Sequence, residues 1–79
     1  MRFKGLDLNL LVALDVLLDE CNVSRAAERL RLSQPAVSAA LGRLRDFFSD
    51  PLLVLHGKRM IPTAQALALR PLLKEVLIQ

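Results

Sequence analysis

The chain has few of the side chains that build most catalytic and metal sites. Its 79 residues include one cysteine, one histidine and three phenylalanines, and neither tryptophan nor tyrosine. A single cysteine excludes an internal disulfide framework and a cysteine-rich metal site, and His56 has no second metal ligand near it in the sequence. No nucleophile lies in a glycine-rich turn, and no paired carboxylates flank a cleft-forming segment. We therefore expect no enzyme, no cofactor and no metal.

Long apolar runs and targeting signals are lacking as well. No run approaches the roughly 20 apolar residues of a membrane span, and no small-residue cleavage site follows the first residues. We expect neither a membrane anchor nor a signal peptide, and the lone thiol suits the reducing cytoplasm. With 53% hydrophobic and 24% charged residues, the chain has the composition of one small folded domain.

The positive charge is concentrated in the middle of the chain. Residues 1–24 carry two cations and four anions, whereas residues 25–59 carry seven cations and three anions. Six of those seven cations are arginines, whose guanidinium groups match phosphate oxygens and guanine edges. A net charge of +3 is compatible with nucleic-acid binding, but an ordinary helical protein can also show a basic face.

The first predicted helix is unusually apolar. It runs from about Asp7, which suits an N-cap, to Glu20, and the run of leucine, valine and alanine between them is too long for a strand. Because this helix is apolar around most of its circumference, more than one side must be covered. One side can face the domain, and the other needs a second helix or a partner chain.

Two further helices follow, joined by a very short turn. The second spans residues 25–31, with Ser24 as its N-cap. Ser33 is the N-cap of the third helix, at residues 34–48, and Pro35 fits in the first turn of that helix, where a missing N–H has no cost. Two short capped helices in this arrangement are typical of a helix-turn-helix.

The remaining residues predict a hairpin and a fourth helix. Apolar residues 52–55 and 60–61 flank a glycine turn at residues 56–59, which indicates a small β-hairpin. The fourth helix starts at Pro62-Thr63 with Thr63 as cap, and Pro71 should kink or divide it. No capping signal precedes the last residue, so we expect a fragment of a longer protein. An apolar stripe follows the fourth helix: Leu67, Leu69, Leu72, Leu73, Val76 and Leu77.

The outer face of the third helix distinguishes it from an ordinary solvated helix. At 100° per residue, one narrow sector must face the core: Val37, Leu41, Leu44 and Phe48. The opposite face is small and nearly uncharged: Gln34, Pro35, Ser38, Ala39 and Gly42. Arg43 and Arg45 lie on its two sides, where a duplex would present phosphates. Such a face lets another surface approach closely, and basic sides favour a DNA major groove over a packed partner helix.

These residues resemble a known family. RAAERL at residues 25–30 followed by LSQPAVS at residues 32–38 is similar to the signature of LysR-type bacterial transcriptional regulators. The resemblance covers essentially the whole chain, including LNLL at residues 8–11. The opening is most similar to the branch that regulates nodulation genes in rhizobia, and to regulators of aromatic-compound degradation. The family implies a mainly α, winged helix-turn-helix fold over residues 1–61 and a linker helix that joins a dimer over residues 62–79.

The resemblance also implies partners. The third helix would enter the major groove of double-stranded DNA, and the hairpin, called the wing and expected at residues 55–60, would lie near the minor groove. The target would be an interrupted inverted repeat in a promoter, bound by a homodimer that becomes a tetramer in the full-length protein. An aromatic or flavonoid-like co-inducer would act only through an effector domain outside these residues. The protein would work in the bacterial cytoplasm, at the nucleoid.

Site residues follow from matching positions and from the residue chemistry. The DNA-binding set is Ser33, Gln34, Pro35, Ser38, Ala39, Arg43, Lys58, Arg59 and Arg31. The dimerisation set is Leu69, Leu72, Leu73, Val76 and Leu77. Four positions depart from the common family pattern at three places: Ala39-Ala40 replace Arg-Gln, Leu55 replaces a wing arginine, and Ala66 replaces a glycine of the linker helix. The first departure weakens the expectation of direct guanine readout there.

Each assignment has a structural alternative. Ser33 can act only as a cap, Lys58 and Arg59 can be ordinary turn charges, and the leucine stripe can belong to the core of the chain. The competing function is a small helical protein-interaction module that docks a partner through its last helix. Such a module would bind DNA weakly and without sequence preference.

Overall fold

The computed structural model describes residues 7–77, and the expected course of the last helix through residue 79 lies outside this range. The elements in chain order are α1 (Leu8–Glu20), α2 (Val23–Leu30), α3 (Gln34–Phe48), β1 (Leu53–His56), β2 (Arg59–Pro62) and α4 (Ala64–Leu77). The predicted winged helix-turn-helix is confirmed: α1, α2 and α3 contact one another, the hairpin follows, and α4 returns to α1.

The helix caps were predicted correctly with one exception. The side chains of Asp7, Ser33 and Thr63 accept hydrogen bonds from backbone N–H groups three residues later, at 2.9, 3.2 and 3.1 Å. The prediction of Ser24 as cap of α2 is wrong, because the Asn22 side chain accepts from the Arg25 N–H at 2.9 Å. Asparagine caps as well as serine does, and its extended backbone places Ser24 inside the first turn.

The core is built on α1, which the other helices cover from several sides. α1 contacts α2, α3 and α4, and most of its apolar surface is therefore buried within the chain. The inner sector of α3 was predicted correctly, since Val37, Leu41 and Leu44 are buried and Phe48 packs against them. The largest fully buried side chains are Leu14, Leu17, Leu18, Val37, Leu44, Leu52 and Leu53.

The hairpin forms with a tighter turn than expected. β1 and β2 are antiparallel, and the register pairs Leu53 with Pro62 and His56 with Arg59. Gly57 has a positive φ of 65°, a conformation that glycine adopts without steric cost. Pro62 therefore ends β2 and does not begin the last helix, which starts at Ala64. Pro62 can occupy this place because β2 is an edge strand.

The last helix is continuous through Pro71, so the alternative that this proline divides it is wrong. α4 packs along α1 with Ala66 and Leu73 buried. Ala66, where the family often has glycine, is 0% exposed, so a methyl group fits there and contributes to the contact.

Ion pairs also connect α4 to α1. The Asp15 carboxylate is only 3% exposed, and the Lys74 ammonium lies 3.0 Å from its Oδ1 atom. Asp19 contacts Arg70 at 2.5 Å and Lys74 at 3.5 Å, and it also contacts Arg29 of α2 at 3.3 Å. The hydrogen bond to Asp15 raises the pKa of Lys74 above its ordinary value. Carboxylates of α1 thus bind cations from both α2 and α4.

Removing the ammonium should destabilise the fold. Lys74→Met leaves the nearly buried Asp15 without this cation, so we expect a lower urea midpoint than for Lys58→Met, a control at the exposed wing turn. Because folding raises the pKa of Lys74, its ammonium contributes fully to the stability of the fold below the ordinary lysine pKa of 10.5. This contribution is lost as the pH rises through the higher folded-state pKa. Equal midpoints for the two variants at pH 7 would contradict this expectation.

Candidate nucleic-acid interface

The outer face of α3 is open to solvent, as the helical wheel predicted. Four residues of this face are exposed: Gln34, Pro35, Ser38 and Ala39. Val37, which precedes Ser38 in the sequence, is fully buried. A Cβ atom added at Gly42 would meet nothing within 4 Å. Packing inside the chain therefore does not require a small residue at Gly42, and the outer face has room for an external surface.

Ser33 lies at the N-terminus of this helix and has the structural role that was assigned to it. Its hydroxyl oxygen accepts from the Ala36 N–H at 3.2 Å, and its side chain remains exposed. A helix N-terminus presents backbone N–H groups and a partial positive charge, both of which favour a phosphate. The cap and a phosphate contact are compatible at this position.

Arginines near the outer face have different environments. Arg43 is exposed on α3. Arg31 is exposed at the C-cap of α2 in the left-handed conformation, with φ of 58°. Arg29 of α2 is bound to Glu20 and Asp19 at 3.1 and 3.3 Å, and these hydrogen bonds raise its pKa. Its guanidinium therefore has a structural role between α2 and α1.

The environment of Arg45 differs from the one expected for a basic side of α3. Its Nε atom donates to the Pro51 carbonyl at 2.8 Å, and its Nη2 atom donates to the Leu53 carbonyl at 2.8 Å. Two charge-assisted hydrogen bonds hold the guanidinium against the backbone between α3 and β1. The prediction that Arg45 lies where a duplex presents phosphates is wrong, because these bonds direct its side chain to the chain itself.

The wing brings a second group of cations to the surface. Lys58 and Arg59 are exposed at the turn and at the start of β2. They lie along a groove with nine lining residues: Glu20, Cys21, Asn22, Arg25, Lys58, Arg59, Met60, Ile61 and Pro62. Arg25 of α2 therefore shares a groove with the wing cations, which the sequence could not indicate because 33 residues separate Arg25 from Lys58.

The volume of that groove is about 480 Å³. The groove separates α2 from the wing, and three cations from two distant parts of the sequence lie along it.

The apolar stripe of α4 is divided between the core and the surface. Leu73 is 4% exposed and Leu69 packs against the core, so little of either side chain remains for a partner. Leu72 and Val76 are 55% and 59% exposed, and Leu77 is half-buried. The surface left for a dimer is therefore smaller than the full stripe and centres on Leu72 and Val76.

Residues 7–77 contain neither a cluster of metal-ligating side chains nor a helix of membrane-spanning character. Within that range, no three histidine, cysteine, aspartate or glutamate side chains lie close enough together to hold a metal ion. In the same range, no helix is both long and apolar enough to cross a membrane.

Known proteins similar to this chain are bacterial regulators. The sequence profile of the lysR family of bacterial regulatory helix-turn-helix proteins matches residues 8–67. Nodulation protein D of Rhizobium leguminosarum bv. trifolii is 55% identical over 78 residues, which are 99% of this chain and 24% of that protein. Nodulation protein D 1 of Rhizobium meliloti (strain 1021) is 54% identical over 99% of this chain and 25% of its own length. The chain spans about a quarter of the length of these relatives.

Solved structures show the same fold. A probable transcriptional regulator from Pseudomonas aeruginosa has a TM-score of 0.88 at 43% identity, over 95% of this chain and 25% of that one. The BenM DNA-binding domain in a complex with catB site 1 DNA has a TM-score of 0.84 at 19% identity, over 91% of this chain and 81% of that one, a likeness of fold alone. The chain belongs to the lysR family of bacterial regulatory helix-turn-helix proteins, and its winged helix-turn-helix is a sequence-specific DNA-binding domain for transcription regulation.

Proposed function

We propose that this domain binds an interrupted inverted repeat in a promoter as a homodimer, with α3 in the major groove and the wing near the minor groove. The observation that carries the proposal is the outer face of α3, where Gln34, Pro35, Ser38 and Ala39 are small or uncharged and all exposed. A major groove about 12 Å wide admits a helix with such a face.

The outer face supplies groups suited to base edges. The Gln34 amide can donate and accept, and it can bind adenine through two hydrogen bonds. The Ser38 hydroxyl also donates and accepts, while Pro35 and Ala39 offer apolar contact to a thymine methyl group. Because Ala39 has no polar group, sequence preference rests mainly on Gln34 and Ser38, aided by DNA shape.

Cations around the face supply contacts that do not depend on sequence. We assign Arg43 and Arg31 to phosphates beside the major groove, together with the helix N-terminus at Ser33. Lys58 and Arg59 are assigned to phosphates or a narrow minor groove near the wing, because both are exposed there.

Two copies would join through α4. Leu72 and Val76 are four residues apart on one side of the helix and more than half exposed, so a second copy can cover both. A two-fold dimer presents its two α3 helices to two half-sites, which explains an inverted repeat as target.

Properties of a longer protein are proposed from the relatives. The chain spans a quarter of their length, so an effector domain that binds an aromatic or flavonoid-like co-inducer would lie outside these residues. Tetramer formation and activation of transcription are assigned to that longer protein. A regulatory role also favours a non-enzyme, and we assign the protein to the bacterial cytoplasm at the nucleoid because its proposed ligand is a promoter.

Sequence preference tests the proposal directly. We would let the chain select duplexes from a random pool and titrate the selected duplex against a scrambled one of equal length. Binding should be at least roughly 1,000-fold tighter to the selected duplex. Weak and equal binding to both would contradict the proposal and favour the protein-interaction module.

The isolated domain should not respond to inducers. If the co-inducer site lies in another domain, aromatic or flavonoid compounds should leave the affinity of this chain for its selected duplex unchanged. Titrations with and without each compound measure this, and a structurally unrelated sugar serves as control. A reproducible shift with one compound would reveal a ligand site within the 79 residues.

A further inference from the structure

We propose that Arg45 is a positioning residue for DNA binding, which fixes the wing relative to α3 and does not itself contact DNA. The inference rests on the proposed function, because it assumes that the wing reaches the duplex. Arg45 lies on α3, and both of its hydrogen-bond acceptors lie on the backbone that leads into β1.

The backbone between α3 and β1, which we call the corner (residues 50–53), is held at three successive carbonyls. Pro51 and Leu53 accept from Arg45, each at 2.8 Å. The Leu52 carbonyl between them accepts from the Thr63 N–H at 3.0 Å. Side chain and backbone donors from α3 and from the start of α4 therefore converge on the corner.

The Asp50 carboxylate completes this arrangement. Its Oδ2 atom accepts from the Leu52 N–H at 2.8 Å and from the Thr63 hydroxyl at 2.6 Å. The Thr63 oxygen in turn caps α4 by accepting from the Ala66 N–H at 3.1 Å. α3, the wing and α4 thus meet in one hydrogen-bond network.

The corner needs this support because its backbone is strained. Leu52 has φ of 65°, a left-handed conformation that is unusual for leucine, and its side chain is 0% exposed. A strained residue persists when its surroundings determine its conformation from several sides. The bonds from Arg45, Asp50 and Thr63 surround Leu52 in this way.

The two strands of the wing are supported differently. In β2, Met60 packs against the core, and this strand also contacts α4. In β1, the residues beyond Leu53 are exposed, and Leu55 is 71% exposed. The direction of β1 is therefore set mainly where it leaves the corner. Because Arg45 joins that point to α3, its guanidinium determines where Lys58 and Arg59 lie relative to the outer face of α3.

Amide hydrogen exchange tests the positioning role without DNA. Arg45→Met keeps a long side chain but removes the donors, so exchange in β1 and β2 should accelerate roughly tenfold or more relative to α1. Arg45→Lys keeps one donor group and should give an intermediate effect. Arg43→Met, on the same helix and exposed, should leave hairpin exchange unchanged. Unchanged hairpin exchange in both Arg45 variants would overturn the proposal.

A double-mutant cycle with Lys58→Ala tests the consequence for binding. Lys58→Ala should weaken binding several-fold in the wild type and in Arg43→Met, by less than about twofold in Arg45→Met, and by an intermediate factor in Arg45→Lys. Equal losses in all backgrounds would overturn the proposal, because they would show that the Lys58 contact does not depend on Arg45. If Lys58→Ala has no effect in the wild type while hairpin exchange still accelerates in Arg45→Met, the wing contact of the proposed function fails and the positioning role stands.

Discussion

Replacing Leu72 and Val76 together with aspartate should convert a dimer into a monomer. Both side chains are more than half exposed, so the substitution removes little from the core of the chain and places two charges in the proposed seam. Affinity for the inverted repeat should fall roughly 100-fold or more, because two linked half-sites bind with avidity, whereas affinity for a single half-site should change little. Sedimentation velocity and titrations on both duplexes measure these effects.

Leu67→Asp is a matched control on the same helix. Leu67 is 52% exposed but lies about 140° around the helix axis from Leu72. The Leu67→Asp variant should sediment as the wild type does and should keep the same ratio of affinities for the inverted repeat and the single half-site. A double variant that still sediments as a dimer would place the seam elsewhere, and a dimer lost in Leu67→Asp would show that α4 packs differently.

The local features of the candidate site could be predicted from sequence. Ser33, Pro35 and the inner sector of α3 follow from capping chemistry and helical periodicity, which act within a few residues. The same periodicity identified the exposed positions Gln34, Ser38 and Ala39 before any contact was known. A short-range pattern was sufficient because α3 is regular throughout its length.

Features that depend on distant contacts could not be predicted in this way. Arg45 was assigned to phosphate because a helical wheel shows its direction but not the carbonyls of residues 51 and 53 that bind it. Leu73 was grouped with Leu72 in one stripe, but the two lie about 100° apart around the helix axis, and Leu73 is buried because α4 packs on α1. Asn22 and Ser24 are both competent caps, and only the backbone at the end of α1 decides between them.

Gln34→Ala should change which sequences the domain prefers. Its amide stands at the start of α3, where a helix in the major groove reads base edges. Loss of a bidentate contact should cost about 1–3 kcal/mol on the selected duplex, with relaxed preference at particular base pairs. The salt slope should hardly change, because no phosphate contact is lost. Titrations on duplexes with single base-pair changes locate the affected positions.

Lys58→Ala should instead weaken binding to selected and scrambled duplexes by similar factors. The exposed lysine at the wing turn would neutralise a phosphate, so its loss should lower the salt slope by about one unit. If the wing enters a narrow A·T-rich minor groove, the loss will be greatest on duplexes with A·T-rich flanks. Titrations at several salt concentrations on flank-swapped duplexes separate the two cases. Should Gln34→Ala weaken all duplexes equally while Lys58→Ala alters preference inside the half-site, the roles of α3 and the wing are reversed.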